Sequence, residues 1–313
     1  MTNKDDSEGA TYNRILSMDG FFRFMDTYSL KSQVTRTLTK DSASSFEATG
    51  YNLNLERLGT NSYNSIWYND FPEEFQAQSG YMSNVVGYRE VGTYNNLSFR
   101  KPHELINEFE LNGSGSGRFD YDNELREEYF SAAAEMSLDR VWTKLGFRKN
   151  HEYVDGKDFR YSDFRYELWN TPRRYLEHYF SLMWGDAAHY TEGFTGWRYR
   201  LIYNATLKPV SRAVFNVNIS SEDFYYKYRG SRCYLQTILW TKLSYQIVPD
   251  MFVRGIYQYN NLFKISQTSL LFALEYRPLN NIYVGTNLYD FSRAEQMDDN
   301  LEAFVKLGYL WRL

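Results

Sequence analysis

An all-β, antiparallel fold is what these 313 residues predict, and three observations predict it. Long stretches alternate large apolar and polar residues with a period of two, the period at which a strand turns its side chains to opposite faces. The alternating stretches exceed ten residues, whereas a strand in a globular protein averages about five or six. The aromatic share is 19%, with 29 Tyr, 22 Phe and 7 Trp, while only 43% of residues are hydrophobic and no run of eighteen apolar residues occurs. That combination excludes a helical membrane protein but suits strands that hide an apolar face in alternation and carry aromatic girdles. A soluble all-β protein with a large core is the alternative on composition alone.

The elements follow in order. From 12 to 24, Leu16, Met18, Gly20, Phe22 and Phe24 fall on one face and Ser17, Asp19 and Arg23 on the other, with a tight Asp26-Thr27 turn after them. The return strand carries Tyr28, Leu30 and Val34. Strands are expected at 44–58 and 60–70 about Leu58-Gly59-Thr60-Asn61, then a polar segment at 70–83, then strands at 84–100 and 102–112 about Lys101-Pro102. Further short turns are expected at Leu138-Asp139, Asn170-Thr171-Pro172, Lys208-Pro209-Val210, Val248-Pro249-Asp250 and Pro278-Leu279-Asn280. Longer loops are expected at 113–117, 155–158, 186–193, 222–230, 260–266 and 291–300.

Two late strands are the clearest. In 197–207, Trp197, Tyr199, Leu201, Tyr203, Ala205 and Leu207 oppose Arg198, Arg200, Asn204 and Thr206. In 233–247, Leu235, Thr237, Leu239, Thr241, Leu243, Tyr245 and Ile247 oppose Gln236, Lys242, Ser244 and Gln246. In the final stretch, Val305, Leu307, Tyr309, Trp311 and Leu313 form an apolar face opposite Lys306, Gly308 and Arg312. Strand length, one polar face and this ending predict a transmembrane antiparallel β-barrel of the outer-membrane type, about 16–18 strands, with short turns periplasmic and long loops outside. Residues 1–10 are expected to be a polar segment on the extracellular side and 11–313 the barrel. The expected location is the bacterial outer membrane.

About seventeen strands can be read, and an odd number places the first and last strands parallel if the chain closes on itself, against the even count usual in bacterial barrels. The expectation is that the missing first strands come from a second polypeptide or an upstream segment. Residues 1–9 are polar and lack the apolar centre of a signal peptide, so the expectation is either a leader already removed or a chain that is part of a longer protein.

The chain resembles the outer-membrane barrels of the domain of unknown function 5916 family, usually joined to a domain similar to family-9 carbohydrate-binding modules. The likeness runs through nearly the whole chain. It is carried by Tyr12-Asn13-Arg14, the loop from Asp70-Phe71 to Gly80-Tyr81, Trp169-Asn170-Thr171-Pro172-Arg173-Arg174, Gln258-Tyr259-Asn260-Asn261, Glu275-Tyr276-Arg277-Pro278 and the run from Phe304 to Leu313. The carbohydrate-module-like region is absent from the sequence, and the last residue is Leu where an aromatic is usual.

No catalytic constellation emerges, and no enzymatic activity is expected. His178 and Ser181 are three apart on a strand and face opposite ways, and Lys242 and Ser244, two apart on one face, are separated by about 6.6 Å of backbone. Cys233 is the single cysteine and fits no metal spacing, so neither metal nor cofactor is expected. Gly113-Ser114-Gly115-Ser116-Gly117 lacks the Gly-Lys-Ser/Thr and strand–helix context of a phosphate loop and reads as a flexible loop tip. The acidic run 295–302 reads as a solvated loop whose carboxylates suit a hard divalent cation bridging to lipopolysaccharide. Tyr225, Tyr226 and Tyr228 form an aromatic stretch that is either an interfacial girdle or a sugar-stacking loop.

The lumen-facing polar set is expected to be Arg23, Arg198, Arg200, Lys242, Arg254, Glu275, Lys306 and Arg312, and Asp19 joins Glu275 among few opposing carboxylates. Tyr203, Leu239, Leu243, Leu307, Tyr309 and Trp311 are expected to face lipid. A basic interior suits anionic solutes, and wall cross-links are the alternative. A net charge of -4 gives no global basic field for nucleic acid. The expected roles are a pore, a translocation conduit or a membrane anchor for a partner, with outer-membrane lipid and lipopolysaccharide as surroundings. The alternative is a cell-surface glycan-binding module.

Overall fold

The computed structural model describes residues 12–40, 44–76, 86–277, 280–290 and 300–309. Seventeen strands make up most of them: β1 (Tyr12–Phe24), β2 (Tyr28–Lys40), β3 (Ser45–Leu58), β4 (Ser62–Phe71), β5 (Tyr88–His103), β6 (Ile106–Phe119), β7 (Leu125–Ser137), β8 (Val141–Val154), β9 (Lys157–Arg173), β10 (Leu176–His189), β11 (Phe194–Val210), β12 (Ala213–Tyr225), β13 (Arg232–Val248), β14 (Met251–Asn260), β15 (Ile265–Arg277), β16 (Asn280–Asp290) and β17 (Asn300–Gly308). The fold is all-β. The strands belong to one sheet, and each register resolved residue by residue joins strands consecutive in sequence and antiparallel. Their lengths run from 9 to 17 residues.

Several expected boundaries are corrected. The glycine–serine run is not a loop tip but the centre of β6: Gly113, Gly115 and Gly117 lie opposite Asn95, Thr93 and Val91, while Ser114 and Ser116 lie opposite Tyr94 and Gly92. Small residues that alternate still satisfy the pleat, and the ladder supplies the hydrogen bonds that an isolated Gly-Ser segment lacks. The expected loop at 155–158 contracts to the two residues Asp155 and Gly156, both left-handed with φ of 50° and 77°, the turn chemistry that suits right-twisted strands. Strands also run on into the expected loops at 186–193, 222–230 and 260–266, ending at His189, Tyr225 and Asn260.

Three proline turns shift for one reason. Pro102, Pro172 and Pro209 sit inside the ends of β5, β9 and β11, and the chain reverses two residues later. Around each of them the ladder is irregular, between Arg100 and His103, between Asn170 and Arg173 and between Leu207 and Val210. A proline has no N–H to donate, so it occupies the irregular step before the turn rather than the turn itself. The expected strand start near 84 moves to Tyr88. The Pro278-Leu279 turn, 291–299 of the acidic loop, and Met1 to Ala10 lie outside the described residues, while the last expected loop residues, Asn300, Leu301 and Glu302, open β17 instead.

The chain divides into two compact units. One holds the described part of Met1–Glu135 with Gly146–Ser162 and Tyr190–Phe194, the other Met136–Leu145, Asp163–His189 and Thr195–Leu313. Within the first, β1 sets Leu16, Met18 and Phe22 on one face opposite Arg36, Val34 and Leu30, and β3 continues that face with Leu53 and Leu55. Within the second, Leu239 lies opposite Ile219 and Tyr259, and Leu243 opposite Phe215 and Gly255. These apolar faces are uncovered: Leu16 and Met18 are 74% and 79% exposed, Val305 and Leu307 69% and 72%. The only buried hydrophobic residues among those described are Ala48, Phe75 and Phe159 in the first unit and Ala187, Ala213, Phe224 and Ala273 in the second.

Glycines admit aromatic rings on the opposite, polar face. A Cβ added to Gly92 would stand 2.2 Å from the Trp67 ring, and one at Gly50 would stand 2.4 Å from Phe71. By contrast, the nearest atom to a Cβ at Gly115 is the Tyr129 carbonyl oxygen at 3.5 Å, an ordinary contact. Gly92→Ala should therefore displace Trp67 and cost about 1–3 kcal/mol as overpacking. Gly115→Ala should be neutral or stabilise by roughly 0.5–1 kcal/mol through the glycine entropy term. Urea unfolding of detergent-refolded variants checks the order, and equal effects at the two sites would contradict the packing described.

Candidate functional site: the polar face of the sheet

The face opposite the apolar one carries hydrogen-bonded side chains from strand to strand. In the first unit, Lys31 of β2 donates to Glu56 of β3 at 2.7 Å, and Asn54 donates to the same carboxylate at 2.9 Å. Asn52 donates to Asn69 at 2.5 Å, and Asn69 passes on to Glu90 at 3.2 Å. Arg118 of β6 then joins Glu90 at 3.6 Å to Glu127 of β7 at 2.7 Å. Ser98 donates to Glu108 at 2.9 Å, Asn96 to Glu110 at 3.1 Å and Asn112 to Glu135 at 2.9 Å. Ser114 and Ser131 share a hydrogen bond of 2.8 Å. Two tyrosines, Tyr161 and Tyr190, donate to the two oxygens of Glu152 at 2.6 and 2.7 Å.

The connector between β6 and β7 is fastened by Asp120. Its carboxylate accepts the N–H groups of Asp122 at 3.0 Å and Glu124 at 2.8 Å and pairs with Arg126 at 2.6 Å. Desolvation raises its pKa, but the backbone donors and Arg126 outweigh it and hold the group below its ordinary value. Tyr121, next to it, donates to Asp70, and burial together with that bond pushes its hydroxyl upward.

In the second unit, Glu167 takes Arg165 at 2.8 Å and the Tyr179 hydroxyl. Glu222 is the central acceptor, with Arg198 at 3.8 Å, Arg200 at 3.9 Å and the Tyr234 hydroxyl around it. Asn204 and Asn218 are hydrogen-bonded, and Thr206 donates to Asn216 at 3.0 Å. The pairings Arg200 with Glu222, Asn216 with Lys242 and Ser244 with Arg254 place Arg200, Lys242 and Arg254 on this same face. Arg254 stands opposite Leu271, Leu271 opposite Gly285 and Gly285 opposite Phe304, so Phe304 and Lys306 share it too.

Each residue singled out in the sequence now has a place. Arg23 lies opposite Ser29 and shares a face with Asp19, and Glu275 lies opposite Asn281. Tyr203 stands opposite Ile219 and Leu307 opposite Ile282, on the apolar face with Leu239 and Leu243. Tyr309 follows β17 and is exposed, whereas Trp311 and Arg312 lie outside the described residues. His178 packs against Tyr203 at 6.3 Å while Ser181 is buried opposite Glu167, so the two point to opposite faces.

Tyr225 belongs to β12 rather than to a loop. Its hydroxyl donates to Asp223 at 2.7 Å, and Arg232 lies over its ring. Tyr228 packs on Trp197 at 4.6 Å with Arg229 5.2 Å from its centre. Tyr226 stands beside them, 48% exposed.

The expectation of few opposing carboxylates is corrected. Glu56, Glu90, Glu108, Glu110, Glu127, Glu135 and Glu152 accept from side chains on the polar face of the first unit, and Glu167 and Glu222 do so in the second. Parity alone assigns a face, but which glutamate meets which arginine depends on register, which the sequence does not display. Lys242, Arg254 and Lys306 have no ion pair among the described residues.

Arg118→Gln should cost about 1.5–3 kcal/mol, because it leaves Glu90 and Glu127 facing each other's field without their shared cation. Adding Glu90→Gln should recover part of that loss. A double-mutant cycle by urea unfolding measures the coupling, and additive effects would show that Arg118 and Glu90 do not interact.

No family model matches the chain, and no curated protein matches its sequence. Among solved structures, the siderophore receptor PirA from Acinetobacter baumannii is similar at 9% identity and a TM-score of 0.46. The match covers 90% of this chain, which spans 58% of that receptor.

Proposed function

We propose that this chain is a transmembrane β-barrel of the Gram-negative outer membrane, serving as a pore, a translocation conduit or a membrane anchor for a partner domain. One observation carries the reading: burial is inverted, with a continuous apolar face left uncovered while the polar face is hydrogen-bonded from strand to strand. Water penalises such an apolar face, and lipid does not. An antiparallel ladder also satisfies the backbone groups that hydrocarbon cannot, which restricts membrane crossings to helices and closed barrels. Strands of 9–17 residues suffice for a tilted crossing of ~9–11.

In this reading the two- and three-residue turns after the odd-numbered strands are periplasmic, and the connectors after β4 and β12, with the short Asp155-Gly156 turn after β8, are extracellular. Lipid and lipopolysaccharide lie against Tyr203, Leu239, Leu243 and Leu307. A second chain or a further segment beside β1 is proposed because the seventeen antiparallel strands of the described residues cannot close on themselves with every neighbour antiparallel. Exposed Tyr226 and Tyr228, at 48% and 52%, support glycan binding as the second reading. The role proposed is not enzymatic.

Leu239→Arg should destabilise the liposome-inserted protein by about 2–4 kcal/mol near the bilayer midplane. Lys242→Gln, on the other face, should change stability by less than about 1 kcal/mol. The reverse order would place Lys242 against lipid and reject the orientation.

Planar-bilayer recording separates the roles. Discrete conductance steps support the pore, with reversal potentials under a salt gradient expected to favour anions. Silence with intact folding favours the anchor, and glycan-array binding lost in Tyr226→Ala favours the surface module.

A further inference from the structure

We propose that Arg254 and Lys306 form a binding site for a dianionic phosphate group, inorganic phosphate or a small phosphate monoester, on the polar face of β14–β17. Both side chains line one open recess of about 390 Å³, together with Ser269, Tyr283, Asn287 and Phe304. The rung linking Arg254, Leu271, Gly285 and Phe304 crosses this part of the face and has no side chain at its third position. The Phe304 ring leans over that gap, where a Cβ on Gly285 would stand 2.5 Å from it.

The chemistry is one-sided. Neither cation has an acidic partner among the described residues, unlike Arg198 and Arg200, which converge on Glu222. The carboxylates on this face of β15–β17, Glu275 and Glu302, stand opposite Asn281 and Asn287, and neither lines the recess. Ser269, Tyr283 and Asn287 add neutral groups able to donate. Three strand spacings separate β14 from β17, about 14 Å, a gap that two long side chains reach across from opposite sides. A guanidinium on one side and an ammonium on the other give two charge-assisted contacts to separate oxygens of one tetrahedral dianion. Chloride, a single charge without fixed geometry, gains much less from that arrangement.

The proposal deepens the pore reading, since a phosphate site on the lumen wall concentrates such solutes, yet binding does not require a current. Titration calorimetry of the folded, detergent-solubilised chain with inorganic phosphate against a chloride background should give saturable binding. Arg254→Gln or Lys306→Gln should weaken it about tenfold or more, the scale of one lost charge-assisted contact. Lys242→Gln, a free cation of the same face outside the recess, should leave it unchanged. Folding of each variant is verified by its heat-modifiable mobility, and if Arg254→Gln does not fold, exposed Lys306 carries the comparison alone.

Absence of saturable phosphate binding in the wild type overturns the site, as does equal weakening by Lys242→Gln. The pore reading fails separately: phosphate binding without conductance keeps the site and removes the pore, and conductance without binding does the reverse.

Discussion

Everything else in this structure depends on the pleat of an antiparallel ladder, which sends consecutive side chains to opposite faces. A shift of one residue between two strands would exchange a whole apolar face for a polar one. Arg118 can meet Glu90 on one side and Glu127 on the other only while β5, β6 and β7 hold their alignment. The cross-strand hydrogen bonds are therefore as much a record of register as a source of stability. Their individual worth is modest, about 0.5–1.5 kcal/mol for a neutral pair.

This explains which parts of the fold were legible in the sequence. The opposite placement of Leu239 and Lys242, or of Leu307 and Lys306, follows from parity within one strand, which needs no partner. The reversals were legible where turn chemistry is local, as at Asp26-Thr27 and Pro249. They were misplaced where a residue's role depends on the neighbouring strand. Pro102 and Pro209 look like turn residues in isolation, but the ladder accommodates each in an irregular step just before the turn. The glycine–serine run failed for a related reason, because its lack of intrinsic strand preference is outweighed by pairing on both of its edges. β-propensity is largely a statement about neighbours.

The polar face was half legible. Arg198, Arg200, Lys242, Arg254 and Lys306 could be assigned to one face from their spacing, and the register does place Arg200, Lys242, Arg254 and Lys306 together there. The sequence did not reveal how differently these cations are partnered. Glu222 lies more than twenty residues from Arg200, and only the β11–β12 hairpin brings them opposite one another. Reading one strand at a time counts charges, whereas the sheet determines which charges cancel.

That distinction bears on what the polar face can do. A carboxylate held by an arginine and a tyrosine, as Glu222 and Glu167 are, has its acceptor capacity largely used, and its cation is correspondingly unavailable to a passing anion. Such groups stiffen a wall. A cation whose strand neighbours are Leu271, Tyr283 or Ser269 keeps its field, and beside an apolar ring that field is screened less than in open water. Thus the basic count of the face as a whole is a poor guide to selectivity. Cations that have no ion pair among the described residues, such as Lys242, Arg254 and Lys306, are where an ionic preference would originate, and the networks around Arg118 and Glu222 are where rigidity does.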